Sequence, residues 1–144
     1  MATLFGKVKN MKDELLIQEA LLAREQAYCP YSEFAVGAAL LTGSGNIYHG
    51  CNIENASYSV ANCAERTAIF KAVSEGEKEF VAIAVVGGKK GAPPVDYTYP
   101  CGVCRQVMAE FGNPKEFRIL VAKSVDDYKE YILKDLLPES FALL

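Results

Sequence analysis

Three things are scarce in this sequence: long apolar runs, surplus positive charge and histidine. Its longest apolar stretches, such as Phe34 to Leu41 and Phe80 to Val86, fall far short of the roughly 18 residues expected of a membrane span. Met1 to Lys12 offers only Leu4-Phe5 between polar residues, less than the apolar region of a secretory signal requires. A soluble protein with no membrane partner is expected. Fifteen Lys and Arg against 18 Asp and Glu leave a net charge of −3, whereas a protein that follows a phosphate backbone presents a basic face to displace counterions. Nucleic acid is therefore not an expected partner. Histidine occurs once, at His49, so a metal site here must draw on other side chains.

Cysteine is present five times, an odd number that would leave one thiol outside any closed set of disulfides. With 144 residues, 51% of them hydrophobic, the chain can bury a core without cross-links. The sequence thus reads as one domain over residues 1–144, in a reducing, cytoplasmic compartment.

Residues 12–28 have helical spacing, with Leu16, Ile17, Ala20, Leu21, Ala23, Ala27 and Tyr28 on one face and Glu14, Gln18 and Glu25 opposite. Cys29-Pro30 ends that helix. Phe34 to Leu41 and Asn46 to Cys51 read as two strands joined by Thr42-Gly43-Ser44-Gly45, a hairpin connection. Helical spacing returns over residues 64–75, and Gly76 stands where a left-handed cap belongs. Phe80 to Val86 is apolar on both faces, as in a central strand covered on each side. Residues 87–100 hold three glycines and three prolines and read as a loop. A helix over 102–111, a strand over Phe117 to Val121 and a weaker strand over Tyr128 to Leu133 complete the order α-β-β-α-β-α-β-β. That order implies a three-layer α/β/α fold with a mixed five-stranded sheet.

The chemistry concentrates in Cys63-Ala64-Glu65 and Pro100-Cys101-Gly102-Val103-Cys104. Three thiolates are the ligand count of a catalytic zinc site, which keeps its fourth position for water. Cys63 opens one helix, and Cys101 and Cys104 share a face at the start of the next, where the helix dipole lowers thiol pKa. Three thiolates around Zn²⁺ leave a net negative charge, and Arg66 and Arg105, each beside a ligand in sequence, are expected to donate to the sulfurs and temper it. A lone C-x-x-C is as readily structural zinc or a redox pair. Glu65 separates the cases, because a carboxylate beside the metal can take a proton from water and deliver it again. The spacing is that of the known zinc deaminase signature, H-x-E followed by P-C-x-x-C, in its three-cysteine form.

Here the sequence resembles the cytidine deaminases, in particular the small homotetrameric kind with a three-cysteine zinc site. The resemblance rests on Cys63 to Ala68 and Pro100 to Val107, and also on Pro30 to Phe34, Val36 to Leu40, Gly50 to Tyr58 and Leu136-Leu137-Pro138. It implies one Zn²⁺ per subunit, deamination of cytidine and 2′-deoxycytidine to the uridines in pyrimidine salvage, and a cytidine deaminase-like fold. It also implies that Asn52 and Glu54 bind sugar hydroxyls, that Phe34 packs on the pyrimidine and that Ala64 meets the base edge through its backbone. Tyr58 and Phe141 correspond to family residues that reach into a neighbouring subunit's pocket. In an extended segment, positions i and i+2 point the same way, which agrees with a shared role for Asn52 and Glu54. The sequence departs from the family at Tyr99, where a serine is common before the Pro-Cys pair.

Three assignments are set aside. With three thiolates available, His49 is not needed as a ligand or base. Cys29 and Cys51 read as small buried apolar side chains, and Lys89-Lys90 as a solvated turn. Two rivals remain to be separated: deamination of a base in a polynucleotide or of a cytosine-bearing antibiotic, and a structural zinc-binding interaction module. The sugar block and the acidic charge argue against the first, and Glu65 with only three ligands against the second.

Overall fold

The computed structural model describes the backbone of residues 4–144 and the side chains of residues 11–144; the rest of the Met1 to Lys12 stretch lies outside this description. Helix α1 covers Leu4–Arg24, followed by strands β1 (Phe34–Thr42) and β2 (Ile47–Cys51), a 3-10 turn (Tyr58–Val60) and helix α2 (Ala64–Ser74). Strand β3 (Phe80–Lys89), helix α3 (Gly102–Phe111), strands β4 (Arg118–Ser124) and β5 (Asp127–Ile132) and the short helix α4 (Leu133–Leu136) complete the chain.

The five strands form one mixed sheet in the order β2-β1-β3-β4-β5. Only β3 and β4 run parallel, and α3 lies on the connection between them; the other neighbours are antiparallel. Strand alternation sorts the side chains into two cores. Ala38, Leu40, Ile83, Val85, Ile119 and Val121 meet α2 and α3, whereas Ala39, Ala82, Ala84, Val86, Leu120 and Ala122 meet Leu16, Ile17 and Ala20 of α1. The expected three-layer α/β/α arrangement is therefore present.

Both helix layers rest on a glycine. A Cβ at Gly37 would lie 2.1 Å from the Ala20 carbonyl oxygen of α1, and one at Gly50 would lie 2.1 Å from the Ala64 carbonyl oxygen of α2. The α1 layer is further held by Arg118, which bonds buried Asp13 at 2.7 Å and also pairs with Glu130. Among the described residues no helix is long and apolar enough to cross a membrane.

Helix α1 and strand β3 differ in extent from the sequence reading, and α1 begins at Leu4 rather than at residue 12. Helix α1 stops at Arg24, not Tyr28: the amides of Glu25, Gln26 and Ala27 bond carbonyls only three residues back, and the Arg24 guanidinium donates to the carbonyls of Ala35, Lys89 and Ala92. Tyr28, expected on the buried face, is 55% exposed, and its backbone pairs instead with Asn52 and Glu54. Gly87 to Lys89, expected in the loop, extend β3: they pair with Phe34 to Val36, and Thr98 presses where a Gly87 side chain would stand. Gly76 does adopt the left-handed cap, with φ +94°.

Candidate active site

Helices α2 and α3 aim their N-termini at the same spot. Cys63 is the N-cap of α2 and Cys101 the N-cap of α3, where its sulfur accepts from the Cys104 backbone N–H. This brings Cys63 Sγ to 3.9 Å from Cys101 Sγ, and Cys101 Sγ to 3.4 Å from Cys104 Sγ. All three sulfurs lie within 4.8 Å of one another and none is in a disulfide. Sulfurs bound at the usual zinc distance in a tetrahedral site lie about 3.8 Å apart, so the observed separations suit that ion.

The electrostatics point the same way. The Cys63 thiol is lowered to about 5, chiefly by the hydrogen bond from Cys104 and then by Arg66, whose Nη2 donates at 3.2 Å. Cys104 is pushed up, first by its hydrogen bond to Cys63 and then by burial, and losing its proton would also set a second anion beside the first. The cluster accommodates one negative charge unaided; three thiolates call for a cation among them. Arg66 Nε is buried with no hydrogen-bond partner among the described residues.

Glu65 sits in the first turn of α2, 4% exposed, beside these sulfurs. Burial, reinforced by the Cys63 charge, pushes its carboxyl up to about 7. A carboxyl poised near neutrality can both accept and return a proton. The cavity in front of it measures about 380 Å³ and is bordered by Val36, Asn52, Glu54, Tyr58, Ala64 and Glu65, among others.

Of the sequence-predicted residues, Cys63, Cys101, Glu65, Ala64, Asn52, Glu54, Tyr58 and Arg66 therefore come together around this cavity, and Cys104 completes the sulfur cluster behind it. Phe34 and Phe141 do not line it. Phe34 opens β1 with its ring 41% exposed, and Phe141 is 69% exposed, with its carbonyl taking a hydrogen bond from Gln106. Arg105 requires a correction. Its guanidinium donates to the carbonyls of Pro100 and Leu136, both at 2.7 Å, rather than to a sulfur. The C-terminal carbonyls of short α4 lack helical donors, and Arg105 serves one of them while bracing the turn that carries Cys101. His49 pairs with Glu19 of α1. It stands opposite Ala39, on the face of the sheet away from α2.

Ala61, Asn62, Thr98 and Tyr99 also border the cavity, although the sequence reading gave none of them a role in the site. Asn62 donates to Thr67 Oγ1, which in turn donates to the Cys63 carbonyl, steadying the entry to α2. Tyr99 borders the cavity while its hydroxyl lies 3.0 Å from that of Tyr131. Adjacency to the ligand cysteines was the available signal for both.

A fold with a thiolate cluster at two helix N-termini and a buried carboxyl beside it defines a zinc-dependent hydrolytic site. The sequence profile of the cytidine and deoxycytidylate deaminase zinc-binding region matches residues 10–120. A cytidine deaminase of Sporosarcina psychrophila is 54% identical over 92% of this chain and 93% of its own length. One from Halalkalibacterium halodurans is 51% identical over 91% and 95%. The crystal structure of cytidine deaminase from Burkholderia pseudomallei superposes with a TM-score of 0.80, at 49% identity over 88% of this chain and 97% of that one. The chain belongs to the cytidine and deoxycytidylate deaminase family, and its three-cysteine cluster fits one Zn²⁺ per subunit.

Proposed function

We propose that this protein hydrolyses cytidine and 2′-deoxycytidine to uridine and 2′-deoxyuridine with release of ammonia, in pyrimidine salvage. The observation that carries this reading is Glu65: a buried carboxyl raised to about 7, set in the same helical turn as a thiolate cluster of zinc-binding geometry. Zinc held by Cys63, Cys101 and Cys104 supplies Lewis acidity that makes water a nucleophile near neutral pH. Glu65 would carry one proton from the attacking water to N3 of the pyrimidine, so that C4 accepts the hydroxide, and would then carry the proton of the new C4 hydroxyl to the amine, so that the C4–N bond breaks, ammonia leaves and C4 becomes a carbonyl. Arg66 donates to the Cys63 sulfur at 3.2 Å and would temper its negative charge as a zinc ligand.

In this reading the sugar hydroxyls meet Asn52 and Glu54, the backbone of Ala64 meets the base edge, and Phe34 covers the pyrimidine once substrate is bound. Tyr58, 83% exposed at the rim of its own chain's cavity, and exposed Phe141 also reach the pocket of a neighbouring copy, in a homotetramer with shared sites. That assignment is supported by the exposure of both side chains in the single chain. Five uncrosslinked cysteines favour a cytoplasmic setting. Metal analysis combined with an ultraviolet assay on cytidine tests the reading: zinc near one equivalent and steady loss of cytidine absorbance are expected. A zinc-loaded protein inert towards cytidine and deoxycytidine would refute it.

A further inference from the structure

The turn between α1 and β1 is held in an unusual shape. Glu33 adopts φ +56°, the left-handed region that side chains other than glycine seldom enter. Two backbone bonds keep it there, from Glu33 N–H to the Cys29 carbonyl at 2.9 Å and from Lys90 N–H to the Glu33 carbonyl at 2.7 Å. The residue just before it, Ser32, is thereby turned towards Glu54. The amides of Tyr31 and Ser32 donate to Glu54 Oε1 at 3.0 and 3.1 Å, and the Ser32 hydroxyl donates to Oε2. The same hydroxyl accepts from the Phe34 N–H at 3.0 Å, so its own proton is directed at the carboxylate.

A carboxylate has about four lone-pair sites, and protein donors occupy three of Glu54's, leaving one on Oε2. Asn52 is tied to the same stretch: its Oδ1 accepts from the Val36 N–H at 2.9 Å and its Nδ2 donates to the Phe34 carbonyl at 2.8 Å. Each side chain therefore keeps a small, directed remainder of its hydrogen-bonding capacity for the cavity. Glu54 is partly exposed, so water could satisfy its oxygens without any of these donors. Their value lies in direction.

We propose that Ser32 is a positioning residue for nucleoside recognition: its hydroxyl, with the Tyr31 and Ser32 amides, orients Glu54 so that a single open lone pair faces one sugar hydroxyl. This rests on the reading above in which Glu54 meets the sugar. The ordering donors also hold the Glu54 carboxyl below its usual range, with the Ser32 hydroxyl as the first cause, which keeps it an acceptor.

The test compares steady-state kinetics on cytidine and on 2′,3′-dideoxycytidine, which lacks both vicinal hydroxyls. Ser32→Ala should raise KM for cytidine about tenfold with kcat within about twofold, the pattern of lost binding shared by ground and transition states. The dideoxy substrate should show no more than about a twofold change, since the hydroxyl that Glu54 reads is absent. Ser32→Thr should restore cytidine KM and its isostere Ser32→Val should not, and this pair carries the comparison if the alanine variant folds poorly. Equal KM changes on both substrates would overturn the proposal in favour of a general role in shaping the turn. Glu54→Gln distinguishes the two layers: a parental cytidine KM there would remove the sugar reading itself. A raised KM there with an unaffected Ser32→Ala would remove only the positioning role.

Discussion

Glu65 and Glu54 border the same cavity, and their surroundings drive them in opposite directions. Glu65 is enclosed at the head of α2, where burial raises its carboxyl to about 7. Glu54 stands on an extended segment in contact with solvent, and hydrogen bonds from Ser32 and Tyr31 lower it. The first environment suits a group that must gain and lose a proton; the second suits one that must stay an anion and only accept hydrogen bonds. One residue type thus fills two offices, assigned by burial and by donor count.

The contrast breaks most sharply at Glu65→Gln, which keeps size and hydrogen-bonding reach but cannot carry a proton. Turnover should fall by at least ~10²–10⁴-fold, while zinc content stays parental and nucleoside affinity holds or tightens. Metal analysis, a ligand titration and single-turnover kinetics on one preparation check this. Loss of zinc would make Glu65 structural, and a near-parental rate would move the proton to another residue.

The two carboxyls should also leave opposite marks on stability in metal-stripped protein. Glu65 holds its proton more tightly folded than unfolded, so its stabilising contribution is full below the ordinary carboxyl pKa and is lost as pH rises through about 7. The pH 5 to pH 8 difference between parent and Glu65→Gln should amount to roughly 3 kcal/mol. Glu54 has the reverse sign: its contribution is present above the unfolded value and disappears as pH falls through its lowered folded value. Urea titrations at several pH values would read both slopes. A Glu65→Gln difference that stays flat across that range would contradict the burial argument.

At the sugar end, Glu54→Ala and Asn52→Ala should lower kcat/KM by roughly 1.5–3 kcal/mol of lost charge-assisted bonding for the first and less for the second. Both should keep full zinc. Parental rates on cytidine in both would show that the sugar lies elsewhere. The mildest change is removal of residues 140–144, which should raise the cytidine KM severalfold in a protein that stays assembled, if Phe141 completes a neighbour's pocket. An assembled deletion variant with parental KM would return Phe141 to an incidental place on the surface.

What could be read in advance followed from local chemistry. Leu16, Ile17 and Ala20 repeat at helical spacing and are buried, and the spacing of Cys63, Glu65, Cys101 and Cys104 alone brought the metal cluster and its carboxyl together. What escaped depended on partners distant in the chain. Nothing near Arg24 announces that the Tyr28 backbone pairs with Asn52 and Glu54, so α1 ends earlier than its spacing predicts. Gly87 and Gly88 look like breakers in sequence, yet they continue β3 because Thr98 and Pro94 close in on them. Arg66 and Arg105 occupy similar places beside ligands, but Arg105 is captured by the Leu136 carbonyl, a partner supplied by a helix too short to be noticed. Ser32's bond to Glu54 belongs to the same class, since it depends on a backbone angle at Glu33.

The bare α-carbon at Gly50 also bears on how this protein can change over generations. The first turn of α2, with Cys63 before it and Glu65 within it, lies directly on that residue, and even a methyl group there would meet the Ala64 carbonyl oxygen at 2.1 Å and the Ala68 amide nitrogen at 2.5 Å. Any replacement would have to lift the helix and so shift Cys63 and Glu65 together, although Gly50 belongs neither to the sulfur cluster nor to the lining of the cavity. The exposed side of α2, at Phe70 for example, carries no such restriction, whereas this one inward position has room only for the smallest amino acid.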